Sequence, residues 1–157
     1  MAYIYPAPGS PTAEVVLTLV ASANTTSNLS VPSLQDITVN NSNDVFTWTQ
    51  LDEGDKLQIA TTATNSLDMN LVLDQTAFFG NASANAVSAA GKGIFNLSAD
   101  KTRVGFSLFL GNTSTGGAGK TLSGNAYITG LAPTVSADAP VWVSPITLTV
   151  DGGYTVT

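Results

Sequence analysis

The sequence predicts an all-β fold: a β-sandwich or barrel of about eight strands with one short flanking helix. Three observations carry this. Apolar and polar residues alternate in short runs, the mark of half-buried strands. Clusters of Gly, Asn, Asp and Ser separate those runs at the spacing of sandwiches and barrels. One Ala-rich stretch, residues 83–90, breaks the alternation and begins with helix-capping residue types. At 157 residues the chain is long enough to bury a sizeable core and reads as one domain, residues 13–157, preceded by an arm over residues 1–12.

The elements follow in order. The arm holds Tyr3, Ile4 and Tyr5, then Pro6, Pro8 and Pro11. Proline fixes φ and removes donors, so the arm is extended, and its apolar residues pack on their own core or on a neighbouring subunit. Residues 14–22 form a strand with Val15, Leu17 and Leu19 on one face. Residues 29–39 are extended, with Pro32 marking an edge or bulge. Asn40, Asn41, Ser42, Asn43 and Asp44 read as a turn. Residues 45–51 and 56–62 form a hairpin closed by Asp52, Glu53, Gly54 and Asp55. Phe46 and Trp48 share one of its faces, and Leu57 and Ile59 point inward. Leu67, Met69, Leu71 and Leu73 then alternate with Asp68, Asn70, Val72 and Asp74 in a strand with one half-wet face. In the Ala-rich stretch Ser83 or Asn85 caps a short helix that runs through Ala90 and ends at Gly91. Residues 94–97 are a short strand or an extension of that helix. Val104, Phe106, Leu108 and Leu110 line one face of the next strand. After a Gly-rich loop over residues 111–119, residues 120–131 and 141–157 complete the sheet. Trp142, Ile146, Leu148 and Val150 fall on its core face, with Val143, Thr147 and Thr149 opposite.

Charged residues are 10% of the chain, against about 25% in an average soluble domain. Ser, Thr, Asn and Ala must cover the surface instead. Such a surface suits a protein buried against copies of itself, or a β-protein that simply favours Thr and Asn. The net charge of −6, from eleven acids and five bases, argues against direct nucleic-acid binding, which needs Lys and Arg to displace counterions. The chain has no cysteine and no histidine. That removes disulfides, thiol chemistry, Ser-His-Asp and Cys-His catalysis and ordinary zinc sites. No signal peptide is expected, since the start has no basic residue and meets three prolines. No membrane span is expected either, because the longest apolar run, residues 15–21, is too short.

Four constellations bear on chemistry. Gly116, Gly117, Ala118, Gly119, Lys120 and Thr121 resemble a phosphate loop, but Ser114 stands where its first Gly belongs and a strand follows where a helix is needed. Asp52, Glu53 and Asp55 offer carboxylates to a cation but too few oxygen ligands by themselves, so a solvated hairpin loop is the plainer reading. No pair of acids is marked out for glycoside hydrolysis. Trp48, Trp142, Tyr127 and Tyr154 suit a sugar platform, yet such residues on strands more often anchor a core or an interface. No catalytic residue, cofactor or metal is expected.

The second half of the chain nonetheless resembles a known family. The order runs from the helix candidate at residues 83–90 through residues 94–97 and the strand 103–110. It continues with Gly124-Asn125-Ala126-Tyr127-Ile128-Thr129, a Pro- and Ala-rich loop, and a long alternating strand ending in Gly152-Gly153-Tyr154. It is similar to phage major tail proteins, the tail tube subunits, most clearly from about residue 85 to 154. That resemblance implies a β-sandwich or barrel with a flanking helix that self-assembles into stacked hexameric rings in the virion tail, after synthesis in the host cytoplasm. It also implies an acidic lumen through which DNA passes without specific binding, other virion proteins as partners, and no membrane. The subunit contacts it implies are Tyr3, Ile4 and Tyr5 in the arm, residues 25–44, Asp52, Glu53 and Asp55 at the hairpin tip, and Gly116 and Gly117 in the Gly-rich loop. Asp68 and Asp74 are the implied lumen acids. The alternatives are a capsid decoration protein, a pilus-like subunit joined by strand exchange, or a carbohydrate-binding sandwich.

Overall fold

The structure, a computed structural model, describes residues 15–22, 24–31, 34–111 and 119–157. In chain order the elements are β1 (Val15–Ala21), β2 (Asn24–Val31), β3 (Leu34–Thr49), β4 (Lys56–Val72), α1 (Gln75–Phe79), α2 (Ala89–Ala99), β5 (Val104–Leu110), β6 (Lys120–Leu131), β7 (Thr134–Ser136), β8 (Ala139–Val150) and β9 (Thr155–Val156). The strands form one sheet in the order β2-β1-β5-β6-β8-β4-β3, with β7 on β8 and β9 on β6. Every pairing is antiparallel. The expected all-β fold is therefore present, as a single sheet of nine strands among the described residues.

The sheet bends until its distant strands share a core. Leu19 of β1, Val31 of β2, Met69 of β4, Ile128 of β6, Ile146 and Leu148 of β8 and Ile94 of α2 surround one small apolar space. Alternation supplies this core. Leu67, Met69 and Leu71, then Val104, Phe106 and Leu108, are all buried. Their intervening neighbours, such as Asp68, Asn70 and Ser107, turn to the other face and stay at least partly open to water. That other face is covered with hydroxyls and amides, as the low charge requires.

One helix was expected over residues 83–90; the structure has two, α1 before that stretch and α2 beginning at its end. Residues 82–87 are turns. Asn81 Oδ1 accepts from Ser83 N–H at 2.9 Å, and Asn85 Oδ1 from Val87 N–H at 3.1 Å. The cap of α2 is Ser88, whose buried Oγ accepts from Gly91 N–H at 3.1 Å. Asn81 and Asn85 thus spend their side chains on local turns, and the hydroxyl at residue 88 satisfies the first helical amides. Gly91 lies inside α2 instead of ending it, and residues 94–97 are helical. The helix breaks at Gly93, where φ is 68° and ψ 171°. A Cβ on Gly93 would stand 2.3 Å from Gly80 N, and one on Gly80 (φ 100°) 2.2 Å from Gly91 O. The two glycines let α1 and α2 touch backbone to backbone. Helix α1 was not expected; its five residues are too few for a periodic signal.

Two other expectations change. The predicted turn at residues 40–44 is strand throughout: Asn40 pairs with Ser66, Asn41 with Asn65, Ser42 with Thr64 and Asn43 with Ala63. Pairing with β4 up to Asn43, where the register shifts, overrides the turn preference of these residues. Trp142 shares the alternation of Ile146, Leu148 and Val150 but is 52% exposed. It stands one residue beyond the last pair of β4 with β8, Val72 with Val143, where the core ends.

Candidate assembly surface

The long strands β3 and β4 are paired along almost their whole length, from Leu34↔Leu71 to Thr49↔Lys56. β8 accompanies β4 only from Ser66 to Val72. Residues 42–63 therefore leave the sheet as a two-stranded ribbon. From Ser66 to Lys56 the ribbon spans ten residues, roughly 33 Å at the rise of an extended strand. Its end is the loop at Asp52, Glu53 and Asp55, all exposed, where Glu53 N–H donates to Gln50 O at 3.4 Å.

One face of the ribbon is apolar. Phe46 lies across from Ile59 and Trp48 across from Leu57, so the four side chains share a face. The Phe46 and Trp48 rings stack at 5.9 Å. Phe46 is 59% and Ile59 55% exposed, and Leu51 at the tip is fully exposed. Leu57 and Ile59 were expected to point inward, and this is corrected by a bulge. Between Asn43↔Ala63 and Val45↔Ala60, β4 takes three steps for two of β3. The extra residue shifts the alternation of β4 relative to Leu67, Met69 and Leu71. β3 has no such irregularity from Asp36 to Asn43, so Phe46 and Trp48 continue the face of Asn40. Leu57 and Ile59 follow them there. Asp44 binds the bulge, with its carboxylate accepting from Thr62 Oγ at 2.9 Å and its carbonyl from Thr61 Oγ at 3.2 Å.

The base of the ribbon is clamped by the segment after β8. Asn65 Nδ2 donates to Gly152 O at 2.9 Å. The Tyr154 hydroxyl lies 2.7 Å from Asn40 O and 2.9 Å from Ser66 O, its single proton serving one of them at a time. The Tyr154 ring meets Phe106 edge-on at 6.2 Å, so it ties the ribbon to the core. Burial first, and the nearby Asp68 charge second, raise the Tyr154 phenol above its ordinary pKa, partly opposed by the hydrogen bond with Ser66.

The expected lumen acids lie apart. Asp68 is on the hydroxyl- and amide-covered face, where it accepts from Asn40 Nδ2 at 2.6 Å and Thr147 Oγ at 2.7 Å. Asp74 follows the end of β4 and caps α1, accepting from Ala77 N–H at 2.9 Å. Asp52, Glu53 and Asp55 are together at the ribbon tip. Tyr3, Ile4, Tyr5, Gly116 and Gly117 lie outside the described residues. Among the described residues, no cluster of three or more carboxylates is placed to hold a metal ion.

At the opposite end of β4 from the ribbon tip, α1, α2 and β8 enclose an apolar groove of about 720 Å³. Phe78, Phe79 and Phe95 form an aromatic cluster there, with ring centroids 5.0–6.0 Å apart. Trp142 forms part of its lining. Sequence reasoning missed the groove; the exposed Phe79 and Phe95 within an otherwise Ala- and Gly-rich stretch were its only trace.

No protein-family model matches the sequence, and no curated protein matches it. Solved structures do. A chain of the anti-feeding prophage baseplate, in a six-fold symmetrised reconstruction, aligns over 96% of this chain and 97% of its own with a TM-score of 0.64 at 12% identity. A chain of the gene transfer agent tail, refined with C6 symmetry, aligns over 95% and 99% with a TM-score of 0.63 at 10% identity. A chain of the SPP1 tail tube aligns over 92% and 76% with a TM-score of 0.64 at 13% identity. These three chains come from a baseplate, a tail and a tail tube. At such identities the likeness is one of fold. It extends the resemblance read from residues 85–154 over nearly the whole chain.

Proposed function

We propose that this chain is the structural subunit of a tail tube, and that it self-assembles into stacked rings of about six copies in a virion tail. The observation that carries the reading is the ribbon. A two-stranded ribbon with an apolar face is marginal in water, and here it is hydrogen-bonded at its base to Tyr154 and by Asn65 to Gly152, with Phe46 and Ile59 uncovered among the described residues. Covering a large apolar side chain contributes about 1.5–3 kcal/mol relative to full exposure. Half-exposed residues gain part of that, repeated at every copy of a ring. The fold shared with chains from a tail tube, a tail of C6 symmetry and a six-fold baseplate supports the same reading.

The contacts follow from this. The acids Asp52, Glu53 and Asp55 ride at the tip of the arm that reaches a neighbour. Tyr3, Ile4, Tyr5, Gly116 and Gly117 remain proposed contacts. The Asp68 face, rich in hydroxyls and amides, is proposed to line the bore. Six copies at −6 each give −36 per ring. That charge keeps DNA phosphates from adhering, so DNA slides through without specific binding. No step of this role needs catalysis, and partners are further copies and other virion proteins.

Electron microscopy of the purified protein at rising concentration tests the proposal. Rings or tubes with about six-fold symmetry are expected. A protein that stays monomeric at millimolar concentration overturns it.

A further inference from the structure

The groove between α1, α2 and β8 is a second surface that the described residues leave uncovered. Its walls are Phe78, Phe79, Phe95, Pro133, Pro140 and Trp142, with Phe79 and Trp142 each more than half exposed. Asp74 stands at its edge and is the charged residue among those that line it. We infer that this groove is the seat of the segment Tyr3-Ile4-Tyr5-Pro6-Ala7-Pro8 of a second copy, an inference that rests on the ring-assembly reading above.

Chemistry selects this occupant. Aromatic-walled grooves take extended Pro-rich segments, whose preset backbone loses little entropy on docking. Tyr3, Ile4 and Tyr5 supply apolar anchors beside those prolines. Residues 2–12 contain no acidic side chain, so nothing in the segment is repelled by Asp74. The competing occupant within a second copy is the ribbon tip, and it carries Asp52, Glu53 and Asp55 toward the same carboxylate.

Geometry selects the second copy over the segment's own chain. Val15 pairs with Leu110, and Leu110 with Lys120. β6 then runs eleven residues from Lys120 to Leu131, which pairs with Ile146. The groove lies beyond, at Trp142. The segment therefore enters its own fold at the end of the sheet far from the groove, fifteen residues away as counted along β6 and β8, or roughly 50 Å of strand. Tyr3 and Tyr5, twelve and ten residues before Val15, reach at most about 43 and 36 Å with the chain drawn straight. A neighbouring copy has no such limit.

The chain's lack of cysteine makes the test clean. Tyr5→Cys and Val141→Cys proteins, each carrying one substitution, are mixed before assembly and oxidised mildly, and the same samples are imaged. Val141 lines the groove and is half exposed. The inference expects a disulfide-linked dimer in the mixture, and a ladder of chain multiples when both substitutions share one chain. A disulfide closed only within single chains overturns it in favour of the protein's own arm. A dimer formed instead by Leu51→Cys with Val141→Cys overturns it in favour of the ribbon. Rings without any Tyr5–Val141 link overturn it while leaving the tube reading intact. Linked dimers with no rings sustain the groove contact and overturn the tube.

Discussion

The two halves of β4 share a strand and differ in almost everything else. Over Ser66–Val72, β4 has β3 on one side and β8 on the other, and Leu67, Met69 and Leu71 are buried. Over Lys56–Ala60 it has β3 alone, and Ile59 is open to water. Both halves alternate in sequence with comparable apolar content. What separates them is the number of neighbouring strands and the presence of helices over one face. Burial is a property of the sheet around a strand, not of its own pattern. The bulge opposite Asp44 marks the boundary and turns the apolar residues of the outer half to the opposite face. The inner half is thereby committed to the fold and the outer half to a partner.

Substitutions in each half break that comparison in different ways. The largest effect on stability is expected from Leu67→Ala, at a side chain with no exposed surface. Removing a buried leucine side chain and leaving a cavity costs about 2–5 kcal/mol, read as a lower urea midpoint of the unassembled protein. Phe46→Ser together with Ile59→Ser is expected to change the unfolding free energy by less than about 1 kcal/mol, with a correspondingly small shift of that midpoint, since surface changes are small. The same pair is expected to abolish rings or tubes under the microscope. If the double substitution destabilises the monomer as much as Leu67→Ala, the ribbon is packed on its own fold and the contrast between the halves fails.

How much of this was legible in the sequence follows the same line. The inner strands were legible because Leu67, Met69 and Leu71, and Val104, Phe106 and Leu108, alternate and are buried with that period. The hairpin was legible too, but not its projection, because the sequence does not say where β8 stops pairing. Asn40 to Asp44 read as a turn because each residue favours one. In the fold their side chains bond across the ladder, Asn40 to Ser66 and Asp68 and Asp44 to Thr62. That a capped helix follows the first four strands was legible but not its position, since Ser83 and Asn85 read as the caps and packing instead selects Ser88. The groove was not legible at all. Its walls come from residues 72–79, 95 and 133–142, which only the topology brings together. Gly152-Gly153-Tyr154, by contrast, stood out as the end of a family-like pattern, and in the fold it carries the hydroxyl that clamps the ribbon.

That clamp sits at the junction of the two halves of β4 and makes the smallest and sharpest prediction. Tyr154→Phe keeps the ring against Phe106 and removes only the hydroxyl near Asn40 O and Ser66 O. The expected cost at neutral pH is about 1 kcal/mol, that of one hydrogen bond. Its pH dependence is more informative. Burial and the Asp68 charge raise the folded-state pKa of Tyr154 above the unfolded value. Between those two values the folded protein holds the proton and the unfolded chain releases it, so stability falls as pH rises. The contribution is complete below the unfolded phenol pKa, near pH 10, and is lost as pH climbs through the folded one. The unsubstituted protein is therefore expected to lose stability more steeply above about pH 10 than Tyr154→Phe does, and the two denaturation midpoints should converge there. Parallel midpoints across that range would mean that Tyr154 titrates alike in both states. The hydroxyl would then be solvated and not clamped, and the outer half of β4 would be free to swing against the inner half instead of being held out as a fixed arm.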